Sequence, residues 1–161
     1  MADVAKLDFD GTAHAAALDL SLVDGRFAPD VLEVAARRAV AAWAEAIDGD
    51  DGALLALADP EAVRNLIHLH DPSERTRVVV RGPRVKEIRV RKLDANADPP
   101  TMAIDVRIAA RRYIENRDTG AVVRGSKSRQ TTFTERWTLA LTGGDTQPWR
   151  IVRVGAPLVR I

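Results

Sequence analysis

The chain has no cysteine, which excludes a disulfide framework, a thiolate nucleophile and a cysteine zinc site and leaves the redox compartment undetermined. Aromatic residues are only 4% of it, so a base-stacking platform for single-stranded nucleic acid has few rings to draw on. No apolar run approaches the roughly 18 residues of a membrane-spanning helix, and Met1 to Lys6 lack the basic and apolar regions of a secretory signal. These absences predict a soluble, unprocessed chain with no transmembrane segment. What is present, 161 residues with 46% apolar and 29% charged side chains, is the composition of one globular domain that buries roughly 70% of the surface of its unfolded chain.

Net charge is also nearly absent, at +1, but the balance hides a polarised layout. Residues 1–72 carry 14 acidic and 5 basic side chains, net −9; residues 73–161 carry 9 acidic and 19 basic, net +10. Arginine supplies 20 of the 24 basic groups and alanine occurs 26 times, the mark of a GC-rich coding bias such as that of actinobacteria. Arginine also favours bidentate contact with carboxylate or phosphate. An acidic half beside a basic half can complement a second copy of the chain, and the basic half alone can meet an anionic partner.

Periodicity divides the chain the same way. Pro29 sits where a helix begins, and Leu32, Ala35, Ala39, Ala42, Trp43 and Ile47 recur at three- and four-residue steps before Gly49, predicting a helix over 29–48. Asp50 or Asp51 caps a short helix carrying Leu54, Leu55 and Leu57, and Asp59-Pro60 opens another through Val63, Leu66 and Ile67. The first 23 residues read as helix from His14 to Ala17, although Leu18, Leu20 and Leu22 alternate as in a strand. From Arg75 the period changes to two. Val78 to Val80, then Ile88 and Val90, mark one long strand or a bent pair broken at Gly82-Pro83, where a bulge is expected. Met102, Ile104, Val106, Ile108 and Ala110 line one strand face against Asp105, Arg107, Arg111 and Tyr113 on the other. A third strand sets Phe133, Glu135, Trp137, Leu139 and Leu141 against Thr132, Thr134, Arg136 and Thr138, and Gly143-Gly144-Asp145 turns the chain into Trp149, Ile151 and Val154. Helices followed by an antiparallel meander is the α+β pattern.

Several of these residues resemble a known family. Asp24, Phe27, Ala42-Trp43, Asp51 and Leu54, then Tyr113, the Asp118-Thr119-Gly120 turn, Val123, Gly125, Phe133, Glu135, Trp137, Thr138 and Trp149 are similar to the motif positions of the domain shared by the mitochondrial translocase-of-the-inner-membrane subunit forty-four and its bacterial relatives. The resemblance spans about residues 20–155; the family's usual aromatic after the threonine is Leu139 here. It implies a fold like nuclear transport factor two: N-terminal helices packed on a curved antiparallel sheet that forms a cone around a central pocket. On that reading residues 1–24 are a helical N-terminal extension and 25–161 a single cone domain, with helices about 29–70 and the sheet about 75–156. The resemblance further implies a non-catalytic adaptor at the periphery of the bacterial inner membrane or in the cytoplasm, binding a protein, an acidic phospholipid or an acyl chain, without a cofactor. The family's membrane contact is attributed to its first helices, yet residues 1–30 carry six aspartates against Lys6 and Arg26, a charge that an anionic bilayer repels.

Chemistry-bearing residues are few. Glu135 shares an apolar face with Phe133 and Trp137, so it either pairs with an arginine or serves as a general base in an isomerase- or dehydratase-type pocket. Phe133, Glu135 and Trp137, with Tyr113 and Trp43, are the candidate binding residues, and Trp43, Phe133 and Trp137 are the expected joint between helix and sheet. His68 and His70 lack a third ligand, so no metal site is assigned. Asp118-Thr119-Gly120-Ala121 spells an aspartic-protease signature but falls at a hairpin tip, where aspartate and glycine belong in any case. No nucleophile elbow or Gly-rich phosphate loop occurs. Arg89, Arg91, Arg107, Arg111 and Arg136 lie opposite the apolar residues of their strands, a basic sheet face suited to phosphate headgroups, to an acidic protein or to a second copy in a structural homo-oligomer; nucleic acid is the least favoured.

Overall fold

A computed structural model describes residues 5–68 and 75–155. The chain starts with strand β1 (Lys6–Phe9), passes through helices α1 (Gly11–Ser21), α2 (Pro29–Ile47), α3 (Gly52–Leu57) and α4 (Pro60–His68), and ends in strands β2 (Thr76–Asp94), β3 (Thr101–Asn116), β4 (Val122–Gly144) and β5 (Gln147–Val154); a 3-10 turn, Gly25–Phe27, links α1 to α2.

Helix α2 keeps the expected bounds to within a residue. Pro29 fills its first turn, where an N–H has no helical partner to lose, and Gly49, at φ 113°, turns the chain out of it. Its buried stripe, Leu32, Ala36, Ala39, Val40, Ala42, Trp43 and Ala46, is built mostly from alanine, which lets the helix lie close to its neighbours. Strand β5 holds the two short helices: the Arg150 guanidinium donates to the carbonyls of Ala56 and Ala58 at 2.8 and 2.9 Å, and the Asp59 backbone N–H donates to the Ile151 carbonyl at 2.9 Å.

The α+β layering stands, but the curved, all-antiparallel cone does not. The five strands run in the order β1-β2-β3-β4-β5 with two open edges, and β1 pairs parallel to β2, with Lys6 opposite Glu87 and Phe9 opposite Val90. The sheet is therefore mixed, neither closed nor strongly curled. All four helices stand between β1 and β2 in the chain, and such a crossover returns the second strand parallel to the first. The N-terminal segment, expected to precede the domain as a helical extension, supplies this edge strand, and α1 begins directly after it. β2 is one strand through the Gly82-Pro83 bulge, with its register to β3 shifted between Arg81 and Arg84.

Even-numbered β3 residues from Met102 to Ala110 face the helices, and cross-strand pairing sets Ile104 opposite Trp137, Val106 opposite Glu135 and Ile108 opposite Phe133. Trp43 of α2 meets Trp137 edge to face at 5.9 Å and 62°, so the expected helix–sheet joint forms, with both indoles fully buried and Phe133 nearly so. Burial of that much aromatic area stabilises the contact between the layers.

Candidate functional site

Phe133, Glu135, Trp137 and Trp43 converge on the helix-covered face of the sheet, and Tyr113 does not join them. Tyr113 lies on the opposite face, opposite Val79 of β2, with the Lys127 ammonium 5.7 Å from its ring centre. Glu135 is fully buried; the Trp137 indole donates to its Oε1 at 3.2 Å. The arginine that answers it was not among the candidates: Arg112, also buried, lies over the Phe133 ring at 4.6 Å. Burial pushes the Arg112 guanidinium below its usual range and the Glu135 charge partly restores it. Arg112 Nε and Nη1 make no hydrogen bond, so the cation is held by the ring and by the neighbouring carboxylate's field. The even register of β3, continued two positions past Ala110, points to Arg112; the doublet Arg111-Arg112 disguises it as solvated surface.

The arginine face is less basic than its sequence. Arg136 grips Asp105 with two bonds of 2.8 and 3.1 Å, Arg91 reaches Asp105 at 3.5 Å and Asp10 at 3.4 Å, and Arg89 bonds Asp10. Asp10 and Asp105 thus bind three of the five candidate arginines into one chain of ion pairs across β2, β3 and β4. The Arg89 guanidinium holds the Asp10 carboxyl below the ordinary carboxylate range. Arg107, between Glu87 and Thr134, and Arg111, whose Nη2 lies 3.5 Å from where a Cβ on Gly82 would sit, are exposed. Nothing in the sequence places Asp10 here, because its contact depends on the unforeseen β1.

Surface relief supplies the other candidates. One cleft of about 650 Å³ lies between the start of α2 and the β4–β5 hairpin, lined in part by Asp30, Val34, Ala35, Asp145 and Trp149. Trp149 closes its floor: the indole donates to the Arg26 carbonyl at 3.0 Å and meets Phe27 edge to face at 5.8 Å. Arg38 crosses to the Thr146 carbonyl at 3.1 Å and ties helix to hairpin. Beside this cleft, at the end of α1, Leu22 and Val23 are 86% and 91% exposed. A second cleft of about 650 Å³ lies between α2 and β2, and a third, of about 790 Å³, near Pro99 and Arg153. Glu135 lines none of these three. Among the described residues no group of three metal-ligating side chains occurs, and no helix is long and apolar enough to cross a membrane. His70 lies outside the described residues, and His68 closes α4.

Asp118-Thr119-Gly120 sits at the β3–β4 turn, where Asn116 Oδ1 accepts from the backbone N–H groups of Asp118 and Thr119 and Gly120 adopts φ 72°. This is turn chemistry. With α1, the turn, the Trp43–Trp137 joint and the Trp149 floor in place, the family model that matches is the Tim44-like domain, over residues 10–156. The chain belongs to the Tim44-like domain family. The match starts at Asp10, so α1 lies within this Tim44-like domain, and it ends just past β5. No curated protein matches the chain.

Proposed function

We propose that this Tim44-like domain is a non-catalytic protein-interaction module whose contact surface centres on Leu22 and Val23 and the adjoining cleft. The observation that carries the reading is the exposure of these two large aliphatic side chains, consecutive in the chain and directly ahead of Asp24, Gly25 and Arg26, which line the cleft with Trp149. Leu18, one helical turn back on α1, and Val34, on the cleft wall, are 48% and 47% exposed and extend the apolar surface. Contiguous exposed apolar groups rimmed by charge, here Asp19, Asp30 and Asp145, favour a protein partner.

Glu135 is read as a structural carboxylate. It accepts from the Trp137 indole and lies in the field of the buried Arg112 guanidinium, inside the packed interface of helices and sheet, surroundings that suit a buried structural charge. The lipid reading draws on the arginine face, and three of those five arginines already spend their charge on Asp10 and Asp105. Affinity capture with the parent chain and with the Leu22→Asp/Val23→Asp variant tests the proposal: a partner retained by the parent and lost by an equally folded variant supports it, and identical partners with both reject it.

A further inference from the structure

We propose that the chain docks head to tail on a second copy of itself, the acidic apolar knob of Leu18, Asp19, Leu22 and Val23 on one copy entering the basic apolar cleft between α2 and β2 on the next. This names a partner for the protein-interaction reading above and rests on it.

The two surfaces share no residue and are opposite in shape and charge. The knob is convex: Leu18 and Leu22 stand four residues apart, Val23 follows, and exposed Asp19 lies between them. The neighbouring Asp24 is neutralised by Arg26 through bonds of 2.7 to 3.1 Å, so Asp19 supplies the knob's open charge. The cleft is concave, about 650 Å³, with Val40, Ala44 and Val85 along its floor and Arg37, Arg84 and Lys86 at its rim; no acidic side chain lines it. Arg37 also bonds Glu33 and the Ala5 carbonyl, so exposed Lys86 is the cation best placed to meet a carboxylate from outside.

Charge selects the pairing. Knob against knob sets Asp19 against Asp19, and cleft against cleft sets Lys86 against Lys86; only knob into cleft joins opposite signs. Strand addition at this edge is a poorer route, because Pro83 and the register shift at Lys86 interrupt the hydrogen-bonding row of β2. Side chains can enter a cleft that a strand cannot extend. A knob-into-cleft contact is heterologous, so each copy keeps one surface of each kind and the assembly grows as a chain or closes as a ring.

Sedimentation velocity of the full chain tests this. Association should rise with protein concentration at low ionic strength and fall toward monomer at about 0.5 M salt, where screening is nearly complete beyond a few ångströms. Leu22→Asp and Lys86→Glu should each abolish association alone. Mixed together they should form dimers and nothing larger, because the first keeps its cleft and the second its knob. Asp19→Lys combined with Lys86→Glu in one chain should restore association. A parent that stays monomeric at low salt overturns the proposal, as does association that neither substitution disturbs or that only one of them disturbs. Binding of a monomeric parent to phosphatidylglycerol vesicles, lost in Lys86→Glu, would assign the cleft to lipid and also overturn it. A monomeric chain that still captures a partner through Leu22 and Val23 rejects this inference and leaves the protein-interaction reading intact; failure of both removes the reading beneath it.

Discussion

Trp137 and Glu135 stand two residues apart on one face of β4, and the indole N–H of the first bonds the carboxylate of the second at 3.2 Å. Removing Trp137 therefore costs twice: a cavity opens against Trp43, and a buried carboxylate loses a donor. Trp137→Ala should destabilise the fold by about 3–5 kcal/mol, read as a fall in the urea midpoint; an unchanged midpoint would mean that the indole is not buried. Arg112→Met should cost about 3–5 kcal/mol because it leaves Glu135 without its cationic neighbour, and adding Glu135→Leu should recover part of that loss, since an apolar pair fills the site without an uncompensated charge. A double variant less stable than Arg112→Met would show that Glu135 is held chiefly by other contacts. At this scale period-two counting made Phe133, Glu135 and Trp137 legible. Residue type, rather than that counting, misled at Arg112 and Tyr113, for opposite reasons. Arg112 is a charged residue whose register position outweighs its polarity. Tyr113 is an apolar ring on the outer face, covered there by Lys127.

At the scale of elements, the β4–β5 hairpin and the β1–α1 corner carry the tests. A Cβ on Gly143 would overlap the Gln147 carbonyl oxygen, whereas one on Gly144 meets nothing within 4 Å. Gly143→Ala should cost at least about 2 kcal/mol and Gly144→Ala under about 1 kcal/mol, with thermal unfolding as the check; equal effects would contradict this hairpin geometry. At the β1–α1 corner Asp10 joins the sheet through Arg89, which lowers its folded pKa. The unfolded chain takes up that proton at higher pH than the folded one, so the stabilisation is complete above about pH 4 and is lost as pH falls through the lower folded value. Asp10→Asn should flatten the loss of stability on acidification; an unaltered acid limb would show that the ion pair contributes nothing. The long helix and strands β2 to β4 were legible because their apolar periods run for many residues, and β5 because a Gly-Gly-Asp turn leads into Trp149, Ile151 and Val154. β1 was not, because four residues give one alternation, Leu7 and Phe9, between aspartates, and pairing with a strand about eighty residues away leaves no local trace. Missing β1 made a mixed sheet read as all-antiparallel, while the cone came from the family resemblance and is overturned by the two open edges.

For the whole molecule, the polarised sequence, net −9 and then +10, does not become an acidic face and a basic face. Asp10, from the acidic half, neutralises Arg89 and Arg91 of the basic half inside one copy, and α2 of the acidic half lines a cleft that carries only cations. Charge layout along a chain predicts charge layout in space only where no cross-pairing intervenes. Among the described residues the most exposed large apolar side chains are Leu22 and Val23, which an average over half a chain conceals. The central claim is that contact is made there rather than on the arginine face. Site-specific photo-crosslinking from position 22, compared with position 107 at the exposed Arg107, measures this most directly. The account predicts protein adducts from position 22 that vanish when Val23 is changed to Asp, and few from position 107; adducts concentrated at position 107, with none from position 22, would contradict it.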